Sequence, residues 1–437
     1  AETHFALRED GASLARATLR CIGVGECRKQ ESGTMCPSYM ATLEEEHSTR
    51  GRARMLFELL QGEVLTGGWQ DEHVKRSLDL CLSCKACKAE CPTNVDIATY
   101  RSEFLSHYFE ARRRPLHAYA FGLIDRWLRW GARTPTLTNL VIRTPGVGRL
   151  LKAAAHVAAA RELPILASQP FRRLAAVRGM PTVGEHRALG PRLVEGRPRR
   201  AILWLDTFNN HLYPSALDSA ARVLGRAGFE CVVPGRALCC GRPLYDFGFL
   251  QEARRYLRDV LDQLGPSIQQ GTPVVVLEPS CASVFRDELT NLFPDDARAS
   301  QLRRQTYVLS EFLREFAPDF EPPAISRPVL LHGHCHQKAL MKMDHEETLL
   351  RRTGAPLSVP DAGCCGMAGP FGFAASTYAV SQRIGERVLF PAVRSASHNA
   401  LVVADGFSCR EQIRQATGRP AFHLAELLDT GDARATS

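Results

Sequence analysis

The chain has 437 residues, 45% of them hydrophobic and 23% charged, with a formal net charge of +8. That length suggests about two to three domains of ordinary globular composition. No apolar run reaches the roughly 18 residues of a membrane span, and fifteen cysteines in metal-ligand spacings and adjacent pairs exclude a disulfide scaffold and point to a reducing compartment. No signal peptide opens the chain. Its first residues, AETHFALRED, lack a starting methionine, as expected of a processed subunit or the tail of a longer polypeptide.

In chain order, residues 1–20 read as a helix. A Thr start and helical apolar spacing predict a second helix over Thr49–Gln61. A third is expected from about Gln70 to Leu80 and a fourth from Asp96 to Arg113. Between Arg101 and Arg200 there are nineteen Lys/Arg against six Asp/Glu, with Tyr119, Trp127 and Trp130 at spacings that suit amphipathic helices. This basic segment resembles no nucleic-acid motif. It reads as a solvated Arg-rich surface or as a docking face for an acidic partner or anionic lipid. Residues 164–200, rich in Pro, Gly and Arg, read as a linker or wrapping segment. Beyond them, short apolar runs at 201–206, 230–234, 273–278, 328–332 and 400–404 alternate with helical stretches at 250–264, 307–316 and 376–389, the pattern of a parallel α/β sheet.

Cysteines carry the chemistry. Cys81, Cys84, Cys87 and Cys91-Pro92 follow the bacterial ferredoxin spacing, in which three thiolates hold one cubane iron–sulfur cluster and the fourth reaches a second. A zinc site would show two separated C-x-x-C pairs. Upstream, Cys21, Cys27 and Cys36-Pro37 repeat the pattern with Val24 in place of one cysteine. By crossover, Cys81, Cys84, Cys87 and Cys36 complete one site. Cys21, Cys27 and Cys91 leave the other with three thiolates: a three-iron cluster, a cubane with a non-cysteine ligand, or an iron open to solvent. A single cluster, with Cys21 and Cys27 as small buried residues, remains the simpler alternative.

The C-terminal half is duplicated. The first copy carries Thr207–His211, Cys239-Cys240-Gly241 and Cys281; the second carries His332–His336, Cys364-Cys365-Gly366 and Cys409. Asn210 stands where the second copy has Cys335. Cysteines at the strand ends of a parallel sheet converge on one edge, and each glycine lets the backbone turn beside them. The second copy thus offers Cys335, Cys364, Cys365 and Cys409, with His334 and His336 nearby; the first offers the weaker set Cys239, Cys240 and Cys281. Such sets favour iron–sulfur or zinc, the alternative being cysteines that pack well. Cys231 reads as core.

Taken with the stretches 33–40, 44–54, 333–339 and 361–369, these motifs resemble the iron–sulfur proteins that join a two-cluster ferredoxin module to tandem cysteine-rich CCG domains. That family includes the iron–sulfur subunits of glycolate oxidase and anaerobic glycerol-3-phosphate dehydrogenase and, more remotely, heterodisulfide reductase. The strongest likeness is to the C-terminal half of fused FAD/iron–sulfur D-2-hydroxyacid dehydrogenases, acting on D-lactate or D-2-hydroxyglutarate. The resemblance implies an α+β multidomain fold: a helical ferredoxin-type domain (1–115), a basic helical or linker segment (116–200) and two CCG repeats with parallel strands (201–325 and 326–437). It implies a [4Fe-4S] cluster, a second [4Fe-4S] or [3Fe-4S] cluster, and a further cluster or metal at the CCG cysteines. No glycine-rich dinucleotide fingerprint is present, so FAD belongs to a partner dehydrogenase subunit or domain, and this chain alone should oxidise no substrate. Electrons would pass to a quinone or soluble carrier. The expected setting is cytoplasmic, without nucleic acid, and peripheral contact with the inner membrane face and a homo-oligomeric complex are left open. The alternative is a catalytic reductase using the CCG site, as the heterodisulfide relatives imply. The first copy's departure at Asn210 puts a cluster there in doubt and leaves its surface as a docking face or quinone pocket.

Overall fold

Three side chains set the helical frame of the N-terminal region in the computed structural model, which describes residues 2–432. Ser48 accepts the Gly51 amide and starts Thr49–Gln61; Asp71 accepts those of His73 and Val74 and starts Glu72–Asp79; Asp96 accepts that of Thr99 and starts Ile97–Tyr108. Such caps satisfy amides that a first helical turn leaves without partners. These are the helices the spacing predicts, although the last ends at Tyr108 rather than Arg113. The single helix expected over residues 1–20 does not form. A turn at Arg8–Asp10 and a short helix at Leu14–Thr18 are separated by Gly11 and Ala12, both at positive φ. The cause is tertiary: the His4 and Phe5 amides donate to buried Glu103 and that of Leu7 to Asn291, so this segment straps the domain.

The alternation after residue 200 gives two parallel sheets. The first has the order Thr182–Val183, Glu230–Pro234, Arg200–Leu203, Val274–Val276, Thr306–Val308. The second has the order Leu357–Ser358, Val329–Leu331, Leu401–Val403, with Phe422 bridging in parallel to Val403. In each, the first strand of the copy lies between the second and third, so the duplication extends to topology. The strands are short, and Val274–Val276, Val329–Leu331 and Leu401–Val403 are valine- and leucine-rich and buried throughout, as the inner strands of parallel sheets require. The stretch 164–200 wraps the first sheet: it forms the helix Phe171–Val177, adds the edge strand and closes with a small hairpin, Leu193–Val194 against Arg197–Pro198.

One apolar core joins these parts, running from Phe5, Leu56 and Phe104 through Trp204 and Phe285 to Cys335 and Ile384. Each fully buried large side chain there contributes about 1.5–3 kcal/mol. Beside it lies a buried ionic knot. Lys85, inside the Cys84–Cys87 loop, meets Asp96 at 2.9 Å, Asp287 at 2.9 Å and Glu288 at 3.4 Å. Burial alone would discharge Lys85, but the facing carboxylates outweigh it and hold its pKa well above the usual lysine range. Removing Lys85 would leave buried carboxylates without their cation, typically worth about 3–5 kcal/mol.

Candidate metal centres

Cys36, Cys81, Cys84 and Cys87 line one small buried pocket, Cys36 arriving from the loop before the helix Pro37–Thr42. Burial and the neighbouring thiols push the pKa values of Cys84 and Cys87 well up. Arg52 shares this pocket and is 1% exposed. It donates from Nη1 to Cys36 Sγ at 3.3 Å, from Nη2 to Ser38 Oγ at 2.8 Å and from Nε to the Ser77 carbonyl at 2.8 Å. Among the described residues no carboxylate pairs with it. A buried guanidinium needs an anion, and a cluster carrying four thiolates is one. The residues present therefore fit the group.

The second set is looser. Cys27 is buried, accepts the Arg50 amide at 3.3 Å and has its pKa raised, chiefly by burial, with Cys36 and Cys21 near enough to add to it. Cys21 and Cys91 are half-buried, and Cys91 exchanges a hydrogen bond with Thr93 at 3.3 Å. Val24 is 56% exposed; its isopropyl group offers no donor atom.

In the second copy the strand ends bring four thiols together. The Cys335 thiolate is stabilised by a hydrogen bond from Cys364, which outweighs burial and brings its pKa down to about 7. Hydrogen bonds from Cys364 and Cys409 hold Cys365 well below the usual thiol value. The amides of Gly366 and Met367 point at Cys364 Sγ and Cys365 Sγ, at 3.4 and 3.5 Å. Gly366 has φ 88°, and a Cβ there would meet the Ser381 carbonyl at 2.4 Å, so only glycine permits this turn.

His332 is the residue the motif reading missed. A ring nitrogen and the sulfurs of Cys365 and Cys409 lie within 4.8 Å of one another. The ring is 1% exposed, and neither nitrogen has a partner at hydrogen-bonding geometry. Burial lowers its pKa, keeping it neutral as a ligand must be. An orphaned imidazole beside stabilised thiolates fits a metal or cluster. Its signal is positional: it directly follows the strand Val329–Leu331.

The first copy differs. Cys240 and Cys281 sulfurs are 2.9 Å apart and Cys239 adjoins them, yet all three thiols are shifted upward, Cys281 by burial to about 11. Asn210 accepts the Arg172 amide at 2.9 Å and pairs with His211 at 3.2 Å. The fourth position thus anchors the wrapping segment. Cys231, in its strand, is pushed by burial to about 12.

The quartet and the second-copy site adjoin. Cys335 is close enough to Cys84 to perturb its ionisation, and His336 Nε2 donates to the Ser83 carbonyl at 2.9 Å, as Arg242 does at 3.1 Å. The loops also meet directly: the Gly33 amide donates to the Asp361 carboxylate at 3.1 Å, and a Cβ on Gly363 would lie 2.7 Å from the Gly33 carbonyl. Above Cys335 and Cys364 opens a cavity of about 400 Å³, walled by Phe121, Ile124, Leu128 and Leu151 of the basic segment. Its floor is polar: His334 lies 3.9 Å from Glu278, which accepts the Phe407 amide at 2.8 Å.

Residues 17–95 match the family described as 4Fe-4S dicluster domain, and residues 206–286 match the cysteine-rich domain. The chain is 28% identical to the D-2-hydroxyglutarate dehydrogenase of Pseudomonas putida over 94% of its own length and 43% of that protein's. It is 26% identical to the glycolate oxidase iron-sulfur subunit of Escherichia coli over 97% of both chains. To one subunit of the anaerobic glycerol-3-phosphate dehydrogenase of Escherichia coli it is 27% identical, over 67% of this chain and 71% of the relative. The chain thus spans less than half the length of the D-2-hydroxyglutarate dehydrogenases it matches. It combines a 4Fe-4S dicluster domain with a cysteine-rich domain, as its motifs imply, and is similar over nearly its whole length to an iron–sulfur subunit.

Proposed function

We propose that the chain is an electron-transfer module. It would accept electrons from a partner FAD dehydrogenase oxidising a D-2-hydroxyacid and deliver them to a quinone. Cys36, Cys81, Cys84 and Cys87 would hold a cubane cluster, which would supply one-electron chemistry there. The observation that carries the reading is continuity. The quartet meets the second-copy cysteines through Ser83 and His336, and those cysteines floor a cavity with apolar walls. Such a cavity suits a ligand with a redox-active polar head and an apolar body. The chain's own residues would hold the clusters dry, orient them through amide and Arg52 donors, and present the acceptor's head to His334 and Glu278.

Iron and sulfide content with redox-poised spectra tests this. About eight irons per chain corresponds to the dicluster pair alone, about seven to a three-iron site, and about eleven or twelve to an added CCG cluster. Chemically reduced protein should be reoxidised by a short-chain naphthoquinone; spectra that stay reduced, or protein that holds no iron, would sink the proposal. The low-pKa Cys335 thiol facing the cavity also favours the catalytic-reductase reading. In that case Cys364→Ser abolishes turnover of a disulfide substrate while dicluster signals persist.

A further inference from the structure

We infer that the helical segment between residues 116 and 154 is a docking face for an anionic lipid surface. Four helices follow one another there: Leu116–Gly122, Ile124–Gly131, Pro135–Arg143 and Pro145–Ala154. Their periodicity is amphipathic, but only part of the apolar side goes inward to the cavity, and much of it stays exposed. Pro135–Arg143 has no buried residue, and Pro145–Ala154 buries only Gly148. Leu140 is 63% exposed, and Leu150 and Trp130 are each 70% exposed. Large apolar side chains exposed in this number on consecutive helices mark an interaction surface.

Charge selects the occupant. Residues 111–161 hold ten Lys and Arg against one acidic residue, Asp125, and that one is buried and paired with Arg129 at 2.8 Å. Arg133, Arg143 and Arg149 are exposed and meet no carboxylate among the described residues. Arg133 lies 5.7 Å from the Trp130 ring. Apolar and aromatic side chains interleaved with unpaired cations on short helices are the composition of an element lying in the headgroup layer. No described helix is long and apolar enough to cross a membrane, so the contact is peripheral. The inward sides of these helices, through Ile124, Leu128 and Leu151, wall the cavity over Cys335, so the lipid face and the cavity share one set of helices. The inference extends the proposed route to a quinone, but vesicle binding by the protein as isolated needs neither electron transfer nor an acceptor, and so stands or falls separately.

The test is sedimentation of the full chain with vesicles of phosphatidylcholine, with and without phosphatidylglycerol. Binding is expected only with the anionic lipid, weakening as salt rises, with a blue shift of tryptophan emission. Arg143→Gln with Arg149→Gln should weaken it about fivefold per cation removed. Leu140→Ser with Leu150→Ser should weaken it at unchanged charge; both pairs lie on the surface, and circular dichroism checks their folding. Equal binding to neutral and anionic vesicles, or no binding, overturns the inference. So does self-association, or capture of the partner dehydrogenase, that the same substitutions abolish while vesicle binding is absent.

Discussion

His336 Nε2 donates a 2.9 Å hydrogen bond to the carbonyl of Ser83, joining a histidine of the second cysteine-rich copy to the loop between two cysteines of the ferredoxin motif. Both partners are buried, and burial holds the imidazole neutral by pushing its pKa well down. The contact is one hydrogen bond in energy, and on the proposed route it is the junction between the two cysteine sites.

Replacing His336 with Phe should leave dicluster iron content unchanged and slow reoxidation of the reduced protein by quinone severalfold, read by stopped-flow absorbance. Arg242 still donates to Ser83, so the stability cost should be about 1–2 kcal/mol by urea titration.

Arg52→Leu removes a buried cation and a donor to Cys36 Sγ. Without that positive charge the reduced cluster is disfavoured, so the reduction potential should fall by tens of millivolts in a potentiometric titration. Arg52→Lys, which keeps the charge but not the fork of donors, should fall less.

Asn210→Cys restores the fourth thiol of the first copy. The expected result is higher iron or zinc content per chain by elemental analysis, at a cost of about 1 kcal/mol for the lost bond to the Arg172 amide. Unchanged metal content would mean the first copy has lost more than one donor.

Asp206 is 1% exposed, and burial together with the Glu278 charge raises its pKa from 3.8 to about 6. The folded state therefore holds this proton more tightly than the unfolded chain does. Its contribution to stability is fully present below the unfolded value and is lost as pH rises through about 6. A shift of roughly two units corresponds to about 3 kcal/mol. Asp206→Asn should remove this slope, so the stability of the variant relative to the parent rises between roughly pH 4 and pH 7 in urea unfolding.

Much of this architecture is legible in the sequence because it is local. Ser48, Asp71 and Asp96 announce their helices, and the valine-rich runs between helices become parallel strands where expected. The 1–20 segment departs from its helical pattern because its amides find Glu103 and Asn291, partners no local pattern reveals. His332 escapes a motif reading because its neighbours His334 and His336 share its motif, and only burial without a hydrogen bond sets it apart. Asn210 is readable as a missing cysteine, but its new work, holding the Arg172 amide, depends on a chain segment 38 positions away. The amphipathic pattern after residue 116 predicts helices but not that Pro135–Arg143 leaves no residue buried.

The backbone approach of Gly33 and Gly363 has a consequence for rate. Electron tunnelling between buried centres falls steeply with separation, and side chains at such a junction would act as adjustable spacers. Here a Cβ on Gly363 has no room against the Gly33 carbonyl, so at this point main chain meets main chain with no side chain between. On the proposed route, a single added methyl group at Gly363 would push the two loops apart at this point, so Gly363→Ala should slow transfer between the sites.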